Sequence, residues 1–181
     1  MKQPIVRRWW QRPFTNRRGV AAMEFAVIAP MLIAVFFGGF TTLDAAMVYR
    51  KVTDTSVELA NITSQYTTMS QTDVNTVLGA ASTIMAPYPT AAMSIVLSEV
   101  TTDSNGNATV TWSQAFQGTA LAQGSSVTMP AGFDTPNTSY ILVQSAYTYT
   151  PTVGSSFIGS IPITKETVML PRASSSIPFT G

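Results

Sequence analysis

One carboxylate stands where a carboxylate is costly. Glu24 is the only charged residue between Val20 and Phe40, in the run V-A-A-M-E-F-A-V-I-A-P-M-L-I-A-V-F-F-G-G-F. An ionised side chain within an apolar membrane segment costs on the order of a few kcal/mol unless it is paired, which makes it a functional candidate by default. The plainer alternative places Glu24 at the headgroup level, with its carboxylate reaching water. Five residues earlier, Gly19 follows Arg17 and Arg18, and a glycine lets another backbone approach closely at low steric cost.

Elsewhere the reactive residue types do not assemble into a site. The chain has no cysteine and no histidine, which removes disulfides, iron–sulfur clusters and thiol nucleophiles, together with the commonest general base and transition-metal ligand. The many serines have no histidine and no nearby lysine to act as a base. Lys165 and Glu166 are adjacent in a strand-like run, so they point to opposite faces. Asp103-x-Asn105-x-Asn107 has the outline of a calcium loop, but its glycine falls at the wrong offset and no closing glutamate follows. It reads as a hairpin turn. Asn61, Asn107 and Asn137 open Asn-x-Ser/Thr triplets of the kind chance supplies in a Ser/Thr-rich chain. No catalytic residue, metal ligand or cofactor is expected.

The element that must position Glu24 is a membrane helix. Val20 to Phe40 meets the requirement of about 20 apolar residues to cross the hydrocarbon core. Thr41, Thr42 and Leu43 extend the run to Asp44, and at 1.5 Å per residue Val20–Leu43 spans roughly 36 Å. Lys2, Arg7, Arg8, Arg12, Arg17 and Arg18 all precede Glu24, whereas the rest of the chain carries only Arg50, Lys51, Lys165 and Arg172. The positive-inside rule therefore places the N-terminus in the cytoplasm and the C-terminal part across the membrane. So few basic residues on the body exclude a nucleic-acid-binding face, which needs Lys and Arg spread over a folded surface. Trp9, Trp10 and Phe14 stand among the leader's arginines and could dip into the inner leaflet surface; a disordered leader is the alternative. Pro30 and the pair Gly38-Gly39 lie in the helix interior, where proline deletes a backbone hydrogen bond and kinks the helix. A cleaved secretory leader is a second reading of the same run, although the run is longer than the usual apolar core of such leaders. A passive, unprocessed anchor is a third.

The segment R-R-G-V-A-A-M-E-F, residues 17–25, is similar to a type IV prepilin-like leader. With a cut after Gly19, Val20 becomes the first residue and Glu24 the fifth. The stretch G-V-A-A-M-E-F-A-V-I-A-P-M-L resembles the TadE/TadG family of minor pilins (pseudopilins) of tight-adherence systems. Its C-terminal part is similar too: Y-I-L-V-Q-S-A-Y-T-Y-T-P looks like the family's aromatic strand ending at Tyr-x-Pro, and Met169-x-x-Arg172 like the end of its last strand. V-T-T-D-S-N-G-N-A-T-V-T-W-S looks like a hairpin found in many members. The resemblance implies a prepilin peptidase acting between Gly19 and Val20. It implies that Glu24, with Phe25 beside it, pairs with the new amine of a neighbouring subunit and sets the axial register of assembly. It gives Pro30, Gly38 and Gly39 a role as a section that stretches when packed in a filament; an ordinary kinked anchor is the alternative. Phe25 replaces the tyrosine of the major pilin motif, and the exported part is far longer than that small subunit, which favours a minor component.

The exported part reads as α+β. Val48, Val52, Leu59, Ile62 and Tyr66 form one stripe of an amphipathic helix continuing the membrane segment. Ser70-x-x-Asp73 marks a second helix start, with Val74, Val77, Leu78, Ala81, Ile84 and Met85 as its apolar stripe. Strands are predicted over 94–100, 108–116, 139–150 and 161–170, with Asn105-Gly106 as a hairpin turn and a loop over 117–138. Val110, Trp112 and Phe116 would share a face. The expected organisation is a basic cytoplasmic leader 1–19, a transmembrane helix 20–43, an amphipathic extension 44–66, an extracytoplasmic head 67–172 built as a small antiparallel sheet, and a mobile tail 173–181.

The reading that results is a structural, non-enzymatic minor pilin or pseudopilin of a tight-adherence apparatus in a bacterial inner membrane. Its expected partners are the lipid bilayer, other pilin-like subunits with their assembly platform, and the prepilin peptidase. The alternatives are a membrane-anchored extracytoplasmic adaptor outside any filament and a secreted protein freed by leader removal.

Overall fold

A computed structural model describes residues 17–181. The basic residues from Lys2 to Arg12 and the aromatic residues Trp9, Trp10 and Phe14 lie outside the described part. One helix, α1, runs from Arg17 to Thr63 and passes through Pro30 without a break. Two compact units divide after Leu43: one ends there, and the other comprises Asp44–Gly181.

In the first unit the apolar side chains face outward. Met23, Phe25, Val27, Met31, Leu32, Val35 and Phe36 are all largely exposed, and none of the most apolar stretch of α1 is buried within the chain. A core helix of a water-soluble fold would bury one face. A helix apolar all round and unburied is suited to lipid. The described residues thus hold one helix suited to anchor the chain in a membrane.

In the second unit α1 ends at Thr63, not Tyr66. Polar side chains take the carbonyls the helix would need: Ser64 Oγ and Gln65 Nε2 both donate to Asn61 O, at 2.7 and 3.2 Å. The backbone then tightens into i+3 bonds, Gln65 N to Ile62 O and Tyr66 N to Thr63 O. Tyr66 still packs against the core from this turn. Helix α2 (Gln71–Met85) opens with a capping box in which Asp73 N donates to Ser70 Oγ and Ser70 N to Asp73 Oδ2, satisfying two of the helix's orphan donors. Its residues Val74, Val77, Leu78, Ala81 and Met85 are buried, and Ile84 is half-buried.

Five antiparallel strands follow: β1 (Met93–Thr102), β2 (Ala108–Phe116), β3 (Ser126–Val127), β4 (Ser139–Tyr149) and β5 (Ile161–Met169), in the spatial order β3-β2-β1-β4-β5. The β1–β2 turn needs glycine at 106. Its φ is +82°, and a Cβ there would sit 2.8 Å from Asp134 O. Asp103 closes the turn by accepting from the amides of Asn105 and Asn107, each at 2.8 Å. A bulge between Glu99 and Val100 sets Trp112 opposite Glu99 and Val110 opposite Val100; because adjacent strand residues face opposite ways, Val110 and Trp112 are both buried but do not share the face expected of them. Strand β3 interrupts the long 117–138 loop, and Val127 and Met129 cover a small second cluster of Val100, Ala108 and Leu142. A single helical turn, α3 (Ser155–Ile158), lies in the β4–β5 connector.

The main core joins Val48, Val52, Leu59 and Ala60 of α1 with the α2 stripe and with Ile95, Leu97, Trp112, Ile141, Val143, Tyr147 and Ile163 of the sheet. Within it, Ser56 Oγ of α1 donates to Ser145 Oγ of β4 at 2.9 Å, so neither buried hydroxyl is orphaned. The architecture is α+β, as expected.

The tail differs from the mobile segment expected. Ile177 is fully buried in the main core. Its amide donates to Glu99 Oε1 at 2.7 Å, and its carbonyl accepts from Trp112 Nε1, also at 2.7 Å. Met69 N donates to Pro178 O and Thr180 N to Met69 O, and Phe179 lies 5.7 Å from the Trp112 ring. The segment is held because it supplies the partners of a buried carboxylate and a buried indole, neither of which could be left unsatisfied at low cost.

Candidate functional site

Gly19, Val20, Glu24 and Phe25 all lie in the first turns of α1. Gly19 and Val20 are thus helical, whereas a protease needs an extended backbone. The local sequence makes this turn easy to open. Gly19 adds about 1 kcal/mol of helix disfavour relative to alanine, and among the described residues nothing lies within 4 Å of a Cβ placed on it. The bond after Gly19 is accessible, and Val20 is 46% exposed.

Val20 and Glu24 are four residues apart and share a face of the helix. Glu24 is exposed, and Phe25 beside it is 69% exposed. Nothing in the described chain covers this face. In a bilayer the same positions would present a carboxylate and a phenyl ring to lipid or to another helix.

Pro30 and the Gly38-Gly39 pair do not end α1. Pro30 has no amide hydrogen, so the carbonyl four residues earlier loses its helical donor. Thr42 Oγ1 donates back to Gly38 O at 2.8 Å, a side-chain bond of the kind that bends helices. Cβ atoms on Gly38 or Gly39 would meet nothing within 4 Å. The folded chain alone does not require glycine at either position.

Sequence reasoning missed a second cluster, at the start of the Asp44–Gly181 unit. Asp44 accepts from Tyr88 Oη at 2.8 Å and from Tyr149 Oη at 2.6 Å. These three residues line a cavity of about 380 Å³ together with Tyr147, Pro89 and Thr152. Burial, then the hydrogen bond to Asp44, pushes the Tyr149 hydroxyl up to about 12. Tyr88 is raised by the same causes in the same order. Lys51 adds a tie from α1 to α2, its Nζ donating to Ile84 O at 2.9 Å. The alternation Tyr147-x-Tyr149 was visible in the sequence, but its pairing with a residue more than a hundred positions away was not.

Asp44→Ala is expected to cost about 1–3 kcal/mol, because two tyrosine hydroxyls lose their acceptor. A pKa raised above the unfolded value means that stability is full below pH 10 and is lost as pH climbs through about 12. In Asp44→Ala the tyrosinate transition should shift down towards 10, stopping short because burial persists. Tyrosinate absorbance of both chains through that range checks this.

Among the described residues no group of His, Cys, Asp and Glu could hold a metal ion. Residues 19–61 match the family described as TadE-like protein. The match begins at Gly19, ends within α1 and does not extend over the sheet. No curated protein and no solved structure matches the chain.

Proposed function

We infer, from a TadE-like helix at residues 19–61, that this membrane-anchored chain is a minor pilin or pseudopilin of a tight-adherence pilus apparatus. Its N-terminus is cytoplasmic, its head lies across a bacterial inner membrane, and it works as a structural part rather than as an enzyme. The observation that carries this reading is the position of the match. It starts on Gly19, five residues before the lone carboxylate of the apolar run Val20–Phe40, in a helix whose most apolar stretch is unburied.

The account proceeds in two steps. A prepilin peptidase unwinds the weak first turn and hydrolyses the Gly19–Val20 peptide bond, giving a carboxylate on Gly19 and a free amine on Val20. The basic leader departs, and with it the charge that held the N-terminus in the cytoplasm. The new ammonium of one subunit then pairs with Glu24 of a neighbouring pilin-like subunit. In the low dielectric of packed apolar helices this pair strongly rejects any axial offset that leaves the carboxylate unmatched. Phe25, and the helix section around Pro30, Gly38 and Gly39, supply the apolar contact and the pliability that assembly requires.

Glu24→Ala is expected to insert in the membrane and fold its head as the wild type does, yet to be absent from sheared pilus fractions. Immunoblots of membrane and pilus fractions read both quantities. Equal amounts of mutant and wild type in the pilus fraction would remove Glu24 from the mechanism. A wild-type chain that never leaves the membrane fraction in piliated cells would favour an adaptor outside the filament.

A further inference from the structure

Bonds within the head identify which end of its sheet holds Asp44. Asp44 follows the apolar run directly, and Tyr149 at the end of β4 donates to it at 2.6 Å. Tyr147 of β4 pairs with Met93 at the start of β1. The end of the sheet bearing Met93 and Tyr149 is therefore the end that holds Asp44, the first residue after the apolar run. The β1–β2 turn lies at the other end of β1, roughly 30 Å away at about 3.3 Å per residue.

The β4–β5 connector starts at the Asp44 end. Pro151 is buried, and Thr150 and Thr152 line the same cavity as Asp44. The connector then turns outward through α3. Phe157 is 96% exposed, more than any other large hydrophobic among the described residues, and Ile158 beside it is half exposed. No charged residue occurs from Thr148 to Thr164. The backbone is also prepared for a poorly hydrated place. Phe157 N and Ile158 N donate to Gly154 O, and Gly159 N to Ser155 O, each at 2.9 Å. An uncharged loop with these three amides paired internally and a protruding phenyl ring is suited to the headgroup and upper acyl region. Scattered exposed apolar residues are ordinary on a protein surface, but this pair belongs to a connector whose first residues line the same cavity as Asp44.

We propose that the connector 150–160 dips into the outer surface of the bilayer that the apolar run crosses, with Phe157 and Ile158 as the inserting side chains. The proposal rests on the membrane-anchored reading. The head then touches the membrane at two places, the helix and the loop, which fixes its tilt until the subunit is drawn from the lipid.

The chain has no native cysteine, so single labels are specific. Phe157→Cys, Leu32→Cys and Ser104→Cys are each coupled to an environment-sensitive fluorophore. The full chains are placed in vesicles of phosphatidylethanolamine and phosphatidylglycerol, with and without a lipid-borne quencher. The labels at 32 and 157 are expected to be blue-shifted and quenched, and the label at 104, on the distal turn, to be neither. If 32 is quenched while 157 behaves like 104, the dipping loop is overturned and the anchor stands. If 32 is also unquenched, the anchor itself fails and the proposal with it. If 157 is shielded only after other pilin subunits are added, its occupant is a protein and the bilayer proposal is overturned. A label at Ile158→Cys should lose quenching when Phe157→Ser is added, because the main inserting group is then gone.

Discussion

Gly19→Leu is expected to leave the chain at full length in cells where, on the proposed processing, the wild type should lose its first nineteen residues. The effect should be all-or-none rather than partial, for a physical reason. Gly19 contributes both a weak helical turn and an unobstructed backbone, since nothing among the described residues crowds a Cβ at that position. Leucine restores helix propensity by about 1 kcal/mol and places a branched side chain against any enzyme that must close around the bond. Neither change disturbs the folded head, because Gly19 belongs to the unit ending at Leu43. Denaturing gels of membrane fractions give the readout, with a head-specific antibody confirming equal amounts. Gly19→Ala should be the milder case. If Gly19→Leu is shortened as readily as the wild type, the bond after Gly19 is not the one that is cut.

Deleting Ile177–Gly181 is expected to abolish cooperative unfolding of the head. Loss of a fully buried isoleucine alone costs about 2–5 kcal/mol. The deletion also strips Glu99 of the Ile177 amide and Trp112 of its carbonyl acceptor, and each orphaned buried group costs a further ~1–3 kcal/mol. Together these approach the whole stability of a small domain, about 5–15 kcal/mol. Ile177→Ala keeps the backbone bonds and should show only the first cost.

Glu99, 1% exposed, adds a pH signature. Burial raises its pKa above the ordinary 4.5, while bonds from Ile177, Trp112 and Ser139 oppose the rise. The native state therefore holds a proton that the unfolded chain releases, so stability should fall as pH rises from 4.5 through the raised value. Asp73 and Asp103 act oppositely and lower down. The Ser70 hydroxyl and amide hold Asp73 below 3.8, and the Asn107 side chain and backbone do the same for Asp103. Stability from these two is lost as pH falls through their depressed values. Glu99→Gln should flatten the upper limb alone. Thermal melts of the full chain in detergent, from acid to neutral pH, test the sign. A wild type that gains stability across the Glu99 window would contradict it.

Much of the head was legible because its signals are local. Ala108–Phe116 alternates and is preceded by Asn105-Gly106, and the observed strand has the predicted bounds. Ser70 and Asp73 make the capping box their spacing announces. The membrane run was legible because lipid selects composition over some twenty positions at once. The features that escaped depend on distant partners. Ala173–Gly181 is short and rich in small and polar residues, and its two apolar anchors, Ile177 and Phe179, form no longer periodic pattern. Partners far away in sequence, Glu99, Trp112 and Met69, make it structural. Asp44 marked the end of an apolar run, and nothing near it pointed to Tyr88 or Tyr149. The two-residue β3 is too short to alternate, and its pairing depends on β2. In the helix, Glu24 and Gly19 stood out because each breaks the rule its surroundings set.

The central claim is a severed bond followed by a buried pairing, and the N-terminus of the membrane-extracted wild-type chain tests it most directly. Sequencing from cells that possess a prepilin peptidase and from cells that lack it should give Val20 in the first and Met1 in the second. Met1 from both, or a start near Ala45, would contradict the account.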